Sequence, residues 1–387
     1  MTPTLLVSPT AVPGGAERAL AGLAQWLPSL GFEPTAALLQ EGPLEDWLLR
    51  AGCPTVVVGS GRTRQLVRTG RVLARLRAMT VGAQAQVVIS NQSKGHVYGG
   101  LAALGARVPA VWWQQGIPDS DRIEKAARLV PSAAVVCSSD AAVAAQRRLT
   151  PRRRVEKIHL GTAVNEVAAR QGSGAAIRRE LGWDRPTVGI VGRLQPWKGQ
   201  DIFLRAAAEI ARAEPDVNFV IVGGAVLGWE GSYPDDLRRL AGELGIADKV
   251  YFTGHQADAI PWFDALDIVV HASYSEPFGL VLVEAMALGK PLVAAAEGGP
   301  LEIVEDGVSG LLTPSGDPRR LAAAVIRILR TPRLAEALSV GGRARAEEFS
   351  EERTARSFAG LLSELTQGSN PRGEEAGRVI ARGSLSR

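Results

Sequence analysis

The chain has 387 residues, of which 46% are hydrophobic and 22% are charged, with a formal net charge of +4 and a pI of about 9.3. This length predicts two domains that each bury a core, and the composition argues against a disordered or fibrous chain. The charge gives no indication of nucleic-acid binding, no apolar run approaches the ~18 residues of a membrane span, and residues 1–13 lack a signal-peptide pattern, so we expect a cytoplasmic protein.

Short Val- and Ile-rich runs alternate with longer Ala-, Leu- and Arg-rich segments of helical period in the first half of the chain. This alternation predicts parallel strands covered by helices on both faces. The expected strands are residues 4–8, 55–58, 87–90, 110–113 and 134–137, with a short one near 157–160. Cys53 and Cys137 have no C-x-x-C partner and lie beside Val-rich segments, so we expect two core thiols.

A second alternation begins after a Gly-rich segment that we interpret as the linker. Its expected strands are residues 187–192, 218–222, 250–253, 267–272 and 291–294, and helices follow from 318 to 365. The predicted fold class is α/β, with two Rossmann-like, doubly wound parallel-sheet domains facing a central cleft. The predicted organisation is an N-terminal acceptor domain at 1–165, a linker at 166–186, a C-terminal donor domain at 187–349, a helix at 350–366 and a mobile tail at 367–387.

Four arginines recur at helical spacing beside apolar residues: Arg64, Arg68, Arg71 and Arg75. The pattern is typical of an ordinary amphipathic helix with a solvated face. It also fits a basic and apolar helix at an anionic membrane surface, on the inner face of a membrane. Both interpretations stay open at this point.

The segment from Glu276 to Glu284 places two carboxylates with seven residues between them, across a loop that follows a strand and opens a helix. Ligands bind at the carboxyl ends of parallel strands, and free N–H groups at a helix N-terminus form an anion site. The N–H groups expected to bind a phosphate belong to Phe278, Gly279, Leu280 and Val281. Glu284 lies about two turns into the helix, where it can accept from ribose hydroxyls, and Glu276 can reach a sugar hydroxyl. The alternative is a helix-opening acid plus a buried or capping glutamate.

A second loop, from Gly192 to Gly199, also lies between a predicted strand and a predicted helix and carries Arg193 and Lys198. A guanidinium and an ammonium group on one loop can neutralise a departing diphosphate without a metal ion. The alternative is a coincidence of surface charges. We expect no metal and no cofactor.

Three further features carry weaker signals. Gly14 and Gly15 follow the first strand, where they form either an ordinary turn or a close backbone approach to a ligand. Asp119 and Asp121 precede a helix, and we interpret them as an N-cap with a first-turn acid rather than a metal site. His96 follows the third strand and is either an acceptor-site base or a structural histidine.

These motifs, in this order, resemble glycosyltransferase family 4, which comprises retaining enzymes of the GT-B fold. The resemblance is densest over residues 187–349, which also include Val222-Gly-Gly, Tyr251-Phe-Thr-Gly and Gly298-Gly-Pro. It implies that Arg193 and Lys198 bind the donor diphosphate, Glu284 the ribose and Glu276 the transferred sugar. It also implies that Thr253, Gly254 and His255 lie near the base, and that Gly14 and Gly15 close over the phosphates. Front-face attack, assisted by the leaving phosphate, would need no side-chain nucleophile.

The implied activity is transfer of a hexose-type sugar from a UDP-, GDP- or ADP-linked donor to a glycan, lipid-linked or small-molecule acceptor held by the first domain. One departure concerns a histidine that many relatives carry in the first domain, where this chain has Asn91-Gln92 and Gln114-Gln115. Glutamine hydrogen-bonds but cannot act as a base. A nucleotide-sugar epimerase, a phosphorylase and a catalytically weak nucleotide-sugar-binding protein therefore stay open as alternatives.

Overall fold

The structure is a computed structural model that describes residues 1–59, 66–119, 121–224 and 231–367. It contains two compact units. Unit 1 comprises Met1–Ser138, Ala142–Ile158 and the described residues from Glu352 onward, and unit 2 comprises Ser139–Ala141 and His159–Glu351. Arg64 and residues 368–387 lie outside the described residues, so the expectations for them stay predictions.

Unit 1 is built on a seven-stranded parallel sheet with the order β3-β2-β1-β4-β5-β6-β7. The strands are β1 Thr2–Ser8, β2 Phe32–Leu38, β3 Thr55–Val57, β4 Val87–Asn91, β5 Ala110–Gln114, β6 Ala134–Cys137 and β7 Val155–Lys157. The helices are α1 Gly15–Trp26, α2 Leu44–Arg50, α3 Leu66–Gly82, α4 Gln92–Ala106, α5 Arg122–Ala127 and α6 Asp140–Leu149. The strand order reverses between β1 and β4, which is where such sheets place a ligand.

The strand β2 was not among the expected strands. Its sequence is FEPTAAL, in which Glu33 is exposed and Pro34 removes a backbone donor, so the segment lacks the Val and Ile run typical of a buried strand. In the structure β2 pairs with β1 along its full length, from Thr2 opposite Phe32 to Ser8 opposite Leu38. Tertiary pairing thus overrides a weak local signal.

Unit 2 contains a six-stranded parallel sheet with the order β10-β9-β8-β11-β12-β13. The strands are β8 Thr187–Val191, β9 Asn218–Val222, β10 Val250–Phe252, β11 Ile268–His271, β12 Leu292–Ala295 and β13 Leu311–Thr313. The helices are α7 Val164–Ala168, α8 Ala175–Glu180, α9 Gln200–Ala213, α10 Tyr233–Glu243, α11 Ile260–Ala265, α12 Leu280–Ala287, α13 Pro300–Ile303, α14 Pro318–Arg330 and α15 Pro332–Ala346. The order reverses between β8 and β11. The two parallel sheets with their helices confirm the predicted α/β class.

Buried apolar residues of β8, β9 and α9 form the core of unit 2, with Phe203 against Phe219 at a ring-centroid distance of 6.3 Å. The segment expected to be a linker carries α8, which packs against α11. The Gly174 N–H donates to Asp264 Oδ2 at 2.8 Å, and a Cβ at Gly174 would lie 2.3 Å from the Ala265 nitrogen. Only glycine therefore allows this close packing.

The last described helix, α16 Glu351–Gln367, packs almost entirely within unit 1. The Phe358 ring contacts the buried Trp113 ring edge-on at a centroid distance of 4.6 Å, and Arg154 forms a bidentate pair with Glu364. The chain thus returns to its first sheet after completing the second.

The two cysteines are buried and free, as expected, and burial raises the pKa of each thiol to about 12. A Cys thiol in such surroundings stays protonated and behaves as a small apolar side chain. In the described ranges, no helix is both long and apolar enough to cross a bilayer.

Candidate functional site

The loop that carries Glu276 begins at the carboxyl end of β11, next to the point where the strand order of unit 2 reverses. Gly279 closes the loop with φ +112°, a conformation that favours glycine, and α12 begins at the next residue. The N–H groups of Leu280 and Val281 have no backbone acceptor among the described residues. This is the arrangement expected of an anion site at a helix N-terminus.

Gly298 and Gly299 pack against the backbone of this loop, and they were named from the sequence only as part of the family resemblance. The Gly299 N–H donates to the Glu276 carbonyl oxygen at 2.9 Å. A Cβ at Gly298 would lie 2.3 Å from that oxygen, and one at Gly299 would lie 2.2 Å from the carbonyl oxygen of Phe278. The two backbones can approach this closely only because both residues lack side chains.

The Glu276 carboxylate is buried and receives three contacts on the same oxygen, Oε2. Lys198 Nζ lies at 2.6 Å, His271 Nε2 at 3.0 Å and Ser273 Oγ at 3.1 Å. Burial by itself would raise the pKa of this carboxyl, but the Lys198 ammonium and the His271 contact outweigh burial and hold the pKa well below its usual range. Glu276 is therefore ionised at neutral pH.

The loop between β8 and α9 lies beside the Glu276 loop. Gly199 has φ +73°, and a Cβ there would lie 2.0 Å from the Ala272 carbonyl oxygen. The Tyr274 N–H donates to the Trp197 carbonyl oxygen at 2.8 Å, so the two loops are also joined through their backbones. Lys198 ends a 3₁₀ turn in this loop, and its ammonium lies 4.1 Å from the Trp197 ring centroid.

The structure thus brings Lys198 and Glu276 into direct contact. Arg193 is exposed at the start of the loop between β8 and α9, and its carbonyl oxygen accepts from Gln200 Nε2 at 2.8 Å. Glu284 is buried in α12, five residues after Gly279, which places it little more than one turn into the helix rather than the expected two. Arg193 lies on the loop that carries Lys198, and Glu284 lies on the helix that follows the Glu276 loop. The donor-binding roles expected for both residues stay predictions.

The loops after β9 and β10 lie at the same edge. Gly223 pairs with Gly254 in an isolated bridge, and Thr253 Oγ1 accepts from the Gly223 N–H at 3.3 Å. A Cβ at Gly224 would lie 2.5 Å from the nitrogen of His255, which is itself exposed. The predicted base-binding residues Thr253, Gly254 and His255 therefore form one short surface segment.

In unit 1, the glycine loop follows β1 and precedes α1, as expected. A Cβ at Gly14 would lie 2.7 Å from Glu17 Oε2, and Gly15 is exposed. The other oxygen of Glu17, which is buried, accepts from Gln92 Nε2 at 3.1 Å. A carboxylate at this position was not predicted, although its place in the first turn of a helix after a strand was a usable signal.

The position of His96 favours a structural role and weighs against its proposed role as a base. The side chain is fully buried, its ring stacks on Trp112 at 4.9 Å, and Nε2 lies 3.2 Å from the Val130 carbonyl oxygen. Burial lowers the pKa of His96 to about 4, so the ring is neutral at physiological pH. A base needs contact with a substrate proton, and this ring is enclosed by protein atoms.

Amide side chains occupy the strand ends at which the family resemblance implies a histidine. Gln115 Nε2 donates to Asn91 Oδ1 at 2.7 Å and to the Ala16 carbonyl oxygen at 3.2 Å. Gln92 is one of three described residues other than glycine with positive φ, at +59°. Such strained backbone is often associated with function.

Asp121 is the N-cap of α5, because its Oδ1 accepts from the Glu124 N–H at 2.8 Å. An N-cap in this segment is confirmed, but the acid of the first turn is Glu124 and neither aspartate takes that position. Glu124 itself is buried and accepts from Ser93 Oγ at 2.6 Å and Gln114 Nε2 at 3.0 Å. Burial raises the pKa of this carboxyl, although those two hydrogen bonds oppose the shift.

Comparisons with known proteins converge on sugar transfer. The family model for glycosyl transferases group 1 matches residues 175–345. A D-inositol 3-phosphate glycosyltransferase of Frankia alni is 43% identical over 194 residues, which are 48% of this chain and 48% of that protein. The protein of the same name from Thermobispora bispora is 35% identical over 65% of this chain and 62% of its own length. The chain spans about half the length of the curated relatives it matches.

The fold is also similar to that of a solved structure. The Anabaena protein HepE, crystallised with UDP and glucose, superimposes with a TM-score of 0.83 and is 28% identical, covering 94% of this chain and 100% of its own. The same protein has been crystallised with UDP-glucose. The similarity extends over both parallel-sheet units.

Proposed function

Because the chain belongs to glycosyltransferase family 4 and has the GT-B fold, we propose that it transfers a hexose-type sugar from a nucleotide-diphosphate donor to an acceptor hydroxyl, with retention of configuration. The observation that carries the proposal is the edge of the second sheet. An ammonium group and a buried, ionised carboxylate meet there beside a helix N-terminus whose first N–H groups lack backbone acceptors. A nucleotide-diphosphate sugar needs cations and N–H donors for its phosphates and an acceptor for a hydroxyl of its sugar.

In the proposed complex, Lys198 and Arg193 neutralise the diphosphate, and the first N–H groups of α12 bind one of its phosphates. Glu276 accepts from a sugar hydroxyl and Glu284 from the ribose. The segment from Thr253 to His255 contacts the base. Charge develops on the departing diphosphate in the transition state, so fixed cations there lower the barrier more than they stabilise the bound donor.

We propose that this chemistry needs no metal ion, because the two cations on the β8 loop supply the positive charge that a metal would otherwise provide. Retention is proposed with the leaving phosphate assisting removal of the acceptor proton. The protein contributes position and charge, and no side-chain nucleophile is assigned. Turnover in the presence of excess EDTA should therefore equal turnover without it.

The donor test is a nucleotide-release assay with UDP-, GDP- and ADP-linked glucose and mannose, followed by mass analysis of the product. UDP-glucose is the first choice, because HepE binds it and is 28% identical over both units. Sugar transfer supports the proposal. Isomerisation of the donor without sugar transfer would favour an epimerase. Consumption of inorganic phosphate would favour a phosphorylase. Tight donor binding without nucleotide release, across a panel of glycan, lipid-linked and small-molecule acceptors, would favour a binding protein.

The membrane interpretation of the basic helix also yields a test. Arg68, Arg71 and Arg75 are exposed on α3, and so is Val67, with 71% of its surface accessible. A cationic face beside an exposed apolar side chain suits anionic lipid. We expect the protein to sediment with vesicles containing phosphatidylglycerol and not with phosphatidylcholine vesicles, and equal behaviour with both would remove the interpretation.

A further inference from the structure

The contacts of Glu276 are divided unequally between its two carboxylate oxygens. Lys198, His271 and Ser273 all contact Oε2, at 2.6, 3.0 and 3.1 Å. Among the residues that the structure describes, no donor contacts Oε1. One oxygen is therefore held by the protein, while the other keeps its capacity to accept from a ligand hydroxyl.

The three donors differ in how freely they can leave. The Lys198 side chain is 17% exposed and ends a flexible stem on a loop. His271 is the last residue of β11 and is 4% exposed, and Ser273 is 1% exposed. Lys198 can turn away by side-chain rotation alone, whereas His271 is fixed by the sheet.

From this difference we propose that His271 is a positioning residue for the donor sugar: it holds Glu276 in its ionised, sugar-binding orientation when Lys198 turns to the diphosphate. The inference rests on the proposed function, because it assumes that a diphosphate draws Lys198 away. Nothing in the family resemblance assigned a role to this histidine.

The physical reason is the cost of a buried charge. A carboxylate in this environment that lost its ammonium partner without another donor would become protonated or rotate away. The His271 N–H at 3.0 Å, together with the Ser273 hydroxyl at 3.1 Å, supplies two hydrogen bonds that do not depend on Lys198. With Oε2 held by these groups, Oε1 stays directed toward the sugar.

The inference predicts an effect on the sugar and not on the nucleotide. Calorimetric titration of the full chain with UDP and with UDP-glucose measures the two separately. His271→Phe keeps a planar ring but removes the donor, and should weaken UDP-glucose binding by about 10- to 100-fold, the loss expected for one hydrogen bond to a charged group. UDP binding should change by less than about threefold, since UDP lacks the transferred glucose whose hydroxyl would contact Glu276.

His271→Gln is the matched control, because its amide nitrogen can take the place of Nε2. It should keep most of the preference for UDP-glucose over UDP, and thermal melting of each variant checks that it is folded. An equal loss for both ligands in His271→Phe, or no loss for either, would overturn the inference. Wild-type protein that binds neither ligand would instead count against the proposed UDP-linked donor, so the two failures can be distinguished.

Discussion

Lys198 has one anionic partner in the structure and a different one in the proposed reaction. In the structure its ammonium pairs with Glu276 at 2.6 Å, whereas the proposed reaction requires it at the diphosphate. The ion pair keeps both charges compensated before the donor arrives, because each is largely buried and would be costly alone. Exchange of one anionic partner for another is then a small rearrangement of a single side chain.

Removal of either cation should reduce catalysis more than folding. We expect Lys198→Met and Arg193→Met each to lower turnover by ~100-fold or more, because each cation stabilises the departing charge. Arg327→Met is the control, since Arg327 is exposed on α14. Steady-state nucleotide release measures all three, and near-normal turnover in both site variants would refute the assigned role.

His96 should make stability depend on pH. The pKa of His96 is about 4 in the folded chain, against an ordinary value of 6.5. As the pH falls, the imidazole is therefore protonated in the unfolded chain before it is protonated in the folded chain. The stabilising contribution of the neutral His96 ring to the free energy of unfolding is fully present above pH 6.5. It falls by about 3 kcal/mol in total as the pH drops toward 4. Urea unfolding of unit 1 in wild type should therefore show this decline on acidification.

A glutamine variant isolates that contribution from other titrating groups. His96→Gln keeps a donor toward the Val130 carbonyl oxygen but cannot titrate, so its decline between pH 6.5 and 4 should be smaller than that of wild type. Identical pH profiles for wild type and His96→Gln would contradict the neutral, buried state of His96.

Among the elements, Gly199 allows the loop between β8 and α9 to lie against the Glu276 loop between β11 and α12. Gly199→Ala should destabilise unit 2 by at least about 2 kcal/mol more than Gly182→Ala, because the added Cβ meets the Ala272 carbonyl oxygen. Gly182 has a similar positive φ but open space around it, so it reports backbone strain alone, about 1–2 kcal/mol. Chemical unfolding followed by tryptophan fluorescence measures both. Equal effects would show that contact between the loops is unimportant for stability.

The sequence predicted most strands because their Val and Ile runs are local signals, and β4 and β9 begin where expected. It missed β2 and the three-residue β13, whose sequences carry no such run. The candidate site shows the same division. Lys198 and Glu276 belong to motifs, whereas the contact of His271 with Glu276 depends on how far the loop folds back on its own strand.

At the scale of the whole molecule, α16 should contribute to the stability of one unit only. Phe358→Ala should destabilise unit 1 by about 3–5 kcal/mol, because a fully buried ring against Trp113 is lost. Hydrogen exchange with mass spectrometry should show faster exchange in β4 and β5 and unchanged exchange in β8 and β11. Faster exchange in both sheets would indicate that the units unfold together. Arg356→Ala, an exposed change on the same helix, is the control.

The return of α16 to the first sheet also bears on synthesis. A nascent chain that has emerged only as far as Glu351 can already complete the six-stranded sheet, while the earlier sheet still lacks the side chain that covers Trp113. The portion made first would consequently be the portion that matures last. Until α16 has been made, the Trp113 ring lacks its Phe358 partner, so the packing of the first sheet is completed only when this last helix is available.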